Sequence, residues 1–113
     1  GGDSPYSNEV LVAVVSVPAA PSGFSATRDA QNPGTKINLA WTDNASNETN
    51  FKIERKILGT RTNFSQIATV GVNITTFTDI TVQGTSSYTY RVRAYNSGGD
   101  SAYSDEPTVG LAP

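Results

Sequence analysis

The sequence predicts an all-β protein, a seven-stranded antiparallel sandwich of two packed sheets, and three observations carry that prediction. Seven short segments alternate apolar and polar residues and are rich in β-branched and aromatic side chains: Phe24–Arg28, Lys36–Thr42, Phe51–Ile57, Phe64–Val70, Thr75–Ile80, Ser87–Tyr95 and Ala102–Val109. Gly, Pro, Asn or Asp residues punctuate the chain between them. No window sets apolar residues at i, i+3, i+4 and i+7 between helix caps, so essentially no helix is expected.

Each segment adds to the picture through the side chains that share a face. In the second segment Ile37, Leu39 and Trp41 point the same way; in the third, Phe51 and Ile53; in the sixth, Tyr88, Tyr90, Val92 and Ala94. These residues make the predicted core, with Trp41, the single tryptophan, filling its centre. The connections carry turn chemistry. Asn32-Pro33-Gly34 suits a type II turn, with Gly34 at positive φ, and Ser97-Gly98-Gly99-Asp100 suits a hairpin leading into the last strand.

Composition narrows the chemistry. The 113 residues contain no Cys, no His and no Met, which excludes His-based triads, thiol nucleophiles, zinc fingers and a disulfide framework. Carboxylate, hydroxyl, Lys and Tyr chemistry remain. A formal net charge of -2 and a pI near 4.9 argue against general binding to nucleic acid or anionic membranes. No apolar run approaches the ~18 residues of a spanning helix, so membrane insertion is not expected, and no cofactor is implied.

Residues 1–13 match residues 98–110 at eight positions, an offset of 97 residues. A period close to ~100 residues is that of a whole immunoglobulin-like sandwich rather than of a solenoid repeat. Residues 1–17 therefore read as the last strand of a preceding repeat plus a linker, and residues 18–113 as a complete domain. The chain, starting at Gly1-Gly2 without Met or signal peptide, reads as an internal slice of a tandem array. The uncharged, β-prone run containing Val10, Leu11, Val12, Val14 and Val15 is a candidate strand-exchange segment, able to pair with another copy, with packing against its own domain and a loose tail as the alternatives.

Several motifs, in order and at matching spacing, give the sequence its resemblance: Pro21 opening the first strand, Leu39-Ala-Trp41 in the second, Tyr88-Thr-Tyr90-Arg-Val92-Arg-Ala94 and Asn96 in the sixth, and Val82 six residues before Tyr88. Over about residues 18–110 the chain resembles a fibronectin type III domain, in which Val82 joins the core and Tyr88 matches a tyrosine corner. Trp41-Thr-Asp-Asn44, Asn47-Glu-Thr-Asn50 and Ile53-Glu-Arg55 are similar to the bacterial and archaeal members. The resemblance implies a non-catalytic spacer or protein-interaction module of a larger secreted or cell-surface protein, partnered by neighbouring domains of the parent chain. Two alternatives stand beside it: an accessory module contacting polysaccharide for a secreted polysaccharide-degrading enzyme, and a strand-exchanging subunit of a filament or surface array.

Four features are candidate sites. Alternation places Lys52, Glu54 and Lys56 on the outer face of the third strand and Arg91 and Arg93 on that of the sixth, beside Tyr95; this +3 patch could meet an acidic polymer, with Tyr95 stacking on a sugar. The plainer expectation is a solvated face in which Glu54 pairs with an Arg across strands. Gly98-Gly99-Asp100 stands where an adhesive relative of the resembled family displays Arg-Gly-Asp, but it lacks the Arg. The loop Asp43-Asn-Ala-Ser-Asn47-Glu48-Thr-Asn50 is oxygen-rich without the spaced Asp-x-Asp pattern of a calcium loop, so Asx turns and strand capping are expected there, and Asp43 and Glu48 are expected to lack an apolar environment. Asn44, Asn47, Asn63 and Asn73 each begin an Asn-x-Ser/Thr sequon.

Overall fold

Two sheets face each other across a single layer of apolar side chains. The computed structural model describes residues 16–59 and 63–112, so the candidate strand-exchange residues Val10, Leu11, Val12, Val14 and Val15 lie outside the described residues. The strands are β1 (Ser22–Arg28), β2 (Ile37–Thr42), β3 (Asn50–Ile57), β4 (Ser65–Gly71), β5 (Thr76–Asp79), β6 (Tyr88–Asn96), β7 (Gly99–Asp100) and β8 (Thr108–Val109). One sheet has the order β1-β2-β5; the other runs β4-β3-β6-β7, with β8 also on β6. All pairings are antiparallel.

The alternation read from sequence is what the sheets bury. Ile37, Leu39 and Trp41 of β2 face Phe51 and Ile53 of β3 and Tyr88, Tyr90, Val92 and Ala94 of β6, closed by Phe24, Val82 and Val109. Trp41 stands edge-on to Phe24 and Phe51, with ring centroids 5.9 and 5.6 Å away. Its truncation to Ala would empty the middle of that layer, at about 3–5 kcal/mol. The Tyr88 hydroxyl accepts the Gln83 N–H at 2.8 Å, which pins the segment carrying Val82 beneath the corner.

Two local expectations are corrected. The last strand does not run unbroken over 102–109, because serine hydroxyls replace backbone carbonyls in its ladder with β6. The N–H groups of Val92 and Ala94 donate to Ser104 Oγ and Ser101 Oγ at 3.1 and 2.9 Å. Their carbonyls accept from Ser104 N and Ser101 N. Pro107 supplies no N–H to the pairing but accepts from Tyr90 N at 3.1 Å. The second correction is at Gly34, which is not at positive φ. Thr35 N and Lys36 N both donate to the Asn32 carbonyl, and Arg28 Nη1 holds the Pro33 carbonyl at 2.8 Å. Types I and II differ in the direction of that central peptide, and Arg28 fixes it the other way.

Antiparallel order sorts the connections to two poles. The first pole gathers residues 16–21 and the loops at 43–49, 72–75 and 97–98; the second gathers 29–36, 58–59, 63–64, 80–87 and 110–112. The hairpin at the first pole turns in two residues, Ser97-Gly98, and Gly99 after it sits at φ +134, where a side chain would be strained.

Candidate interaction surfaces

The outer face of β3 and β6 is built by register. Lys52 lies opposite Arg93 and Glu54 opposite Arg91, so strand geometry alone brings a carboxylate among three cations. Glu54 is buried rather than solvated: Arg91 Nε and Nη2 reach its Oε1 at 2.8 and 2.7 Å, Arg93 Nη2 its Oε2 at 3.5 Å, and the Tyr103 hydroxyl donates to Oε2 at 2.8 Å. Burial, then that hydrogen bond, pushes the Tyr103 phenol above its ordinary value. Arg91 is sandwiched between the Phe64 and Tyr103 rings, 4.0 and 3.7 Å from their centroids, and Arg93 lies 4.5 Å over Tyr103.

Neighbouring acids complete the balance. Asp100 pairs with Lys52 at 2.8 Å and with Arg93 at 3.4 Å, and Glu106 lies 3.7 Å from Arg91. Lys52 Nζ also sits 4.1 Å over the Tyr95 ring. Four cations thus face three carboxylates, and the +3 expected from alternation becomes +1. Lys56 alone among these cations has no ion-pair partner among the described residues. Asp100, at the position of the display loop, is spent on Lys52 and Arg93.

A second charged cluster lies inside the sandwich, where sequence reading placed none. Asp79, at the end of β5, is 2% exposed. Its Oδ2 accepts from Arg55 Nη1 at 2.9 Å and from the Tyr90 hydroxyl at 2.8 Å; its Oδ1 accepts from Thr81 N and Oγ1 at 3.0 and 2.6 Å. Arg55 also donates to Thr81 Oγ1 and lies 5.2 Å over the Tyr88 ring. Burial alone would raise the Asp79 carboxyl, but the Thr81, Tyr90 and Arg55 hydrogen bonds outweigh it and hold it below the ordinary carboxylate value. Tyr90 moves the opposite way, raised by burial and then by the Asp79 hydrogen bond. A signal was available: Arg55 falls in phase with Phe51 and Ile53, and a cation on the inward face of a core strand demands an anion.

At the first pole Glu48 is 5% exposed, and the groups that meet its carboxylate are polar. Its Oε2 accepts the Asn73 N–H at 3.1 Å. The Asn73 side-chain amide, turned with its nitrogen toward the acids, reaches Glu48 and Asp43 at 3.2 Å each. Asn73 takes φ 62, a left-handed conformation that Asn tolerates. The loop is a clasp between the β2–β3 and β4–β5 connections. Three of the sequon amides also serve the fold, since Asn44 Nδ2 donates to the Ala20 carbonyl and Ser22 Oγ, and Asn47 Nδ2 to the Ser16 carbonyl. Among the described residues no three acidic, His or Cys groups gather as metal ligands.

The nine residues expected in the core, Ile37, Leu39, Trp41, Phe51, Ile53, Val82, Tyr88, Tyr90 and Val92, are all buried. Lys52, Arg91, Arg93 and Tyr95 meet on one face, but with their charges and ring faces already engaged by the fold.

No protein-family model and no curated protein matches the chain. Among solved structures it is similar to an Fn3-like protein from Clostridium thermocellum, at 28% identity and TM-score 0.68 over 87% of this chain and 97% of that one. Domains A168–A170 of titin match at 26% identity and TM-score 0.66, over 84% of this chain; the match spans about a third of the titin fragment, 32%. The FN5 domain of Drosophila Lar shares the fold at 21% identity and TM-score 0.68, over 86% and 99% of the two chains. The two-sheet topology, the Tyr88 corner above Val82 and these likenesses give the described residues the fibronectin type III fold.

Proposed function

We propose that the chain is a non-catalytic spacer and protein-interaction module of a larger secreted or cell-surface protein. The observation that carries this reading is where the chain enters and leaves. The Ser16 carbonyl is held at the first pole by Asn47 Nδ2 at 3.0 Å and Asn96 Nδ2 at 2.8 Å. Ala112 N donates to the Gly84 carbonyl at the second pole, at 2.9 Å. Residues 16 and 112 are therefore anchored to the rigid body at opposite poles, and the sandwich sets a fixed separation between whatever joins it at those two points. The charged groups support the same reading, because the clusters around Asp79, Glu54 and Glu48 join strands and loops to one another. Ring faces that could stack on a sugar are covered by the module's own Lys52, Arg91 and Arg93.

The test is replacement within the parent protein. An unrelated sandwich of equal pole-to-pole length should preserve the parent's activity, and deletion of the module should impair it. Loss of activity on replacement would overturn the spacer role in favour of a specific surface.

A further inference from the structure

Six large apolar side chains are exposed among the described residues, and all six stand at the poles: Val17, Val72 and Ile74 at the first, Leu58, Ile80 and Leu111 at the second. None lies on a sheet face. Scattered exposed apolar residues need no explanation, but segregation to the two ends of a module is a pattern. Val17 lies against Gly99, 3.3 Å from where a Cβ would sit. Ile74 follows Asn73 on the turn that Glu48 ties down. At the far end Leu58 N donates to the Ser87 carbonyl, and Leu111 precedes the Ala112 that binds Gly84.

The repeat at residues 1–13 says what meets the first pole. The eight positions it shares with residues 98–110 correspond to Gly98, Gly99, Asp100, Ser101, Tyr103, Ser104, Glu106 and Val109. Seven of those have an assigned task on β3 and β6 or in the hairpin: the strained φ of Gly99, the ion pairs of Asp100 and Glu106, the ladder hydroxyls of Ser101 and Ser104, the stacked ring of Tyr103 and the core contact of Val109. A segment that keeps these residues is fitted to a sheet bearing the counterparts of Lys52, Glu54, Arg91 and Arg93. In that alignment Val14 occupies the place of Leu111. Ser16, two residues on, is already bonded to the first pole, and two residues span at most about 7 Å.

We infer that the first pole of this module docks against the second pole of a preceding copy of the same domain, with Val17, Val72 and Ile74 meeting that copy's counterparts of Leu58, Ile80 and Leu111. This rests on the spacer reading and deepens it: the junction is a packed apolar contact that fixes the angle between repeats, and the array is a stiff rod. A linker this short leaves the two apolar ends no room to remain apart in water.

The experiment places residues 18–97 ahead of the full chain, so that residues 1–13 complete the upstream repeat and residues 14–17 form the natural junction. Heteronuclear relaxation should report one anisotropic rotor, and the downstream domain should melt roughly 4–8 °C higher than in the 113-residue chain alone. Val72→Ser with Ile74→Ser in the downstream repeat should abolish both effects, as should Leu58→Ser with Ile80→Ser in the upstream one. The same pairs at the two outer poles, which face no neighbour, should change neither. Two folded repeats tumbling independently, with unshifted melting, would overturn the docked junction while leaving the spacer reading intact. An upstream repeat that stays unfolded, or residues 1–13 pairing with a second molecule in light scattering, would overturn the array and the junction together.

Discussion

The five-stranded sheet meets the same three chemical groups on both of its faces. Inside, Arg55, Asp79 and Tyr90 meet at 2.8–2.9 Å; outside, Arg91, Glu54 and Tyr103 meet at 2.7–2.8 Å. The difference lies in which elements they join. Glu54 and Arg91 are cross-strand neighbours of β3 and β6, so their contact reinforces a pairing that the backbone already makes. Asp79 comes from β5 in the opposite sheet, so its bonds to Arg55 and Tyr90 tie the two layers at the second pole. The inner carboxylate, Asp79, is 2% exposed, whereas the outer cations Arg91 and Arg93 keep 23% and 25% of their side-chain surface open to water. Equal geometry should therefore yield unequal energies.

Removal of the two acids gives the largest contrast. Asp79→Ala strands a half-buried guanidinium and a buried phenol, and loss of one partner of a buried pair costs about 3–5 kcal/mol. Glu54→Ala leaves Arg93 with Asp100 and Arg91 with Glu106, both near solvent, and should cost about 1–2 kcal/mol. Urea unfolding with matched m-values measures both. Comparable losses would mean that the outer face is as integral to the fold as the layer between the sheets.

The phenols sharpen the same contrast with less disruption. Tyr90→Phe keeps the ring in the core but removes one donor from Asp79, which retains Arg55 and Thr81; a cost of about 1.5–3 kcal/mol is expected for a hydrogen bond to a charged group. Tyr103→Phe keeps the stacking on Arg91 and Arg93, so it should cost less than about 1 kcal/mol. Thermal melts of the two variants suffice. A larger shift for Tyr103→Phe than for Tyr90→Phe would reverse the assignment of inner and outer roles.

What sequence could and could not supply follows from how each residue is positioned. Trp41, Tyr90 and Val92 were legible because period-two alternation is a local property of one strand. Tyr88 was legible as core by the same alternation and as a corner only through the resemblance, and the structure gives its hydroxyl the Gln83 N–H. The outer pairing of Glu54 with an Arg needed only neighbouring strands and a register, and was anticipated. Its burial was not, because Phe64 and Tyr103 arrive from segments 10 and 49 residues distant from Glu54. The Arg55–Asp79 contact needs the sheets to close on each other, which no alternation encodes, although the inward phase of Arg55 marked that something had to meet it. The broken last strand shows the same limit at smaller scale. Serines read as ordinary strand or turn residues until their hydroxyls are seen to take the place of carbonyls in the ladder.

Salt separates the clusters without structural change. In a double-mutant cycle of Glu54→Ala with Arg91→Ala, coupling of roughly 1 kcal/mol or less at low ionic strength should weaken as salt approaches 1 M, where the Debye length falls to about 3 Å. The corresponding cycle of Asp79→Asn with Arg55→Met should change less, because Asp79 is only 2% exposed. Identical salt dependence in the two cycles would place both at the same effective depth.

The finest separation comes from pH. The chain has no His and no Cys, so no side chain has an ordinary value between those of the carboxylates and the phenols, and melting temperature should be nearly flat from about pH 5 to 9. Asp79 is held low in the fold, so its contribution is complete above its unfolded value of about 3.9 and disappears as pH falls through the lower folded value. Asp29, held low by the Asn38 amide and then by Asn32 N–H, shares that acid limb from an exposed site. Tyr90 and Tyr103 are both raised, so their contributions are complete below about pH 10 and are lost as pH climbs from there toward their folded values. Asp79→Asn should therefore flatten the acid limb without erasing it, whereas Tyr103→Phe should leave that limb alone and soften only the alkaline one. An acid limb unaltered by Asp79→Asn would show that the carboxylate joining the two sheets is not what low pH attacks first, and that acid unfolding begins instead at the loops.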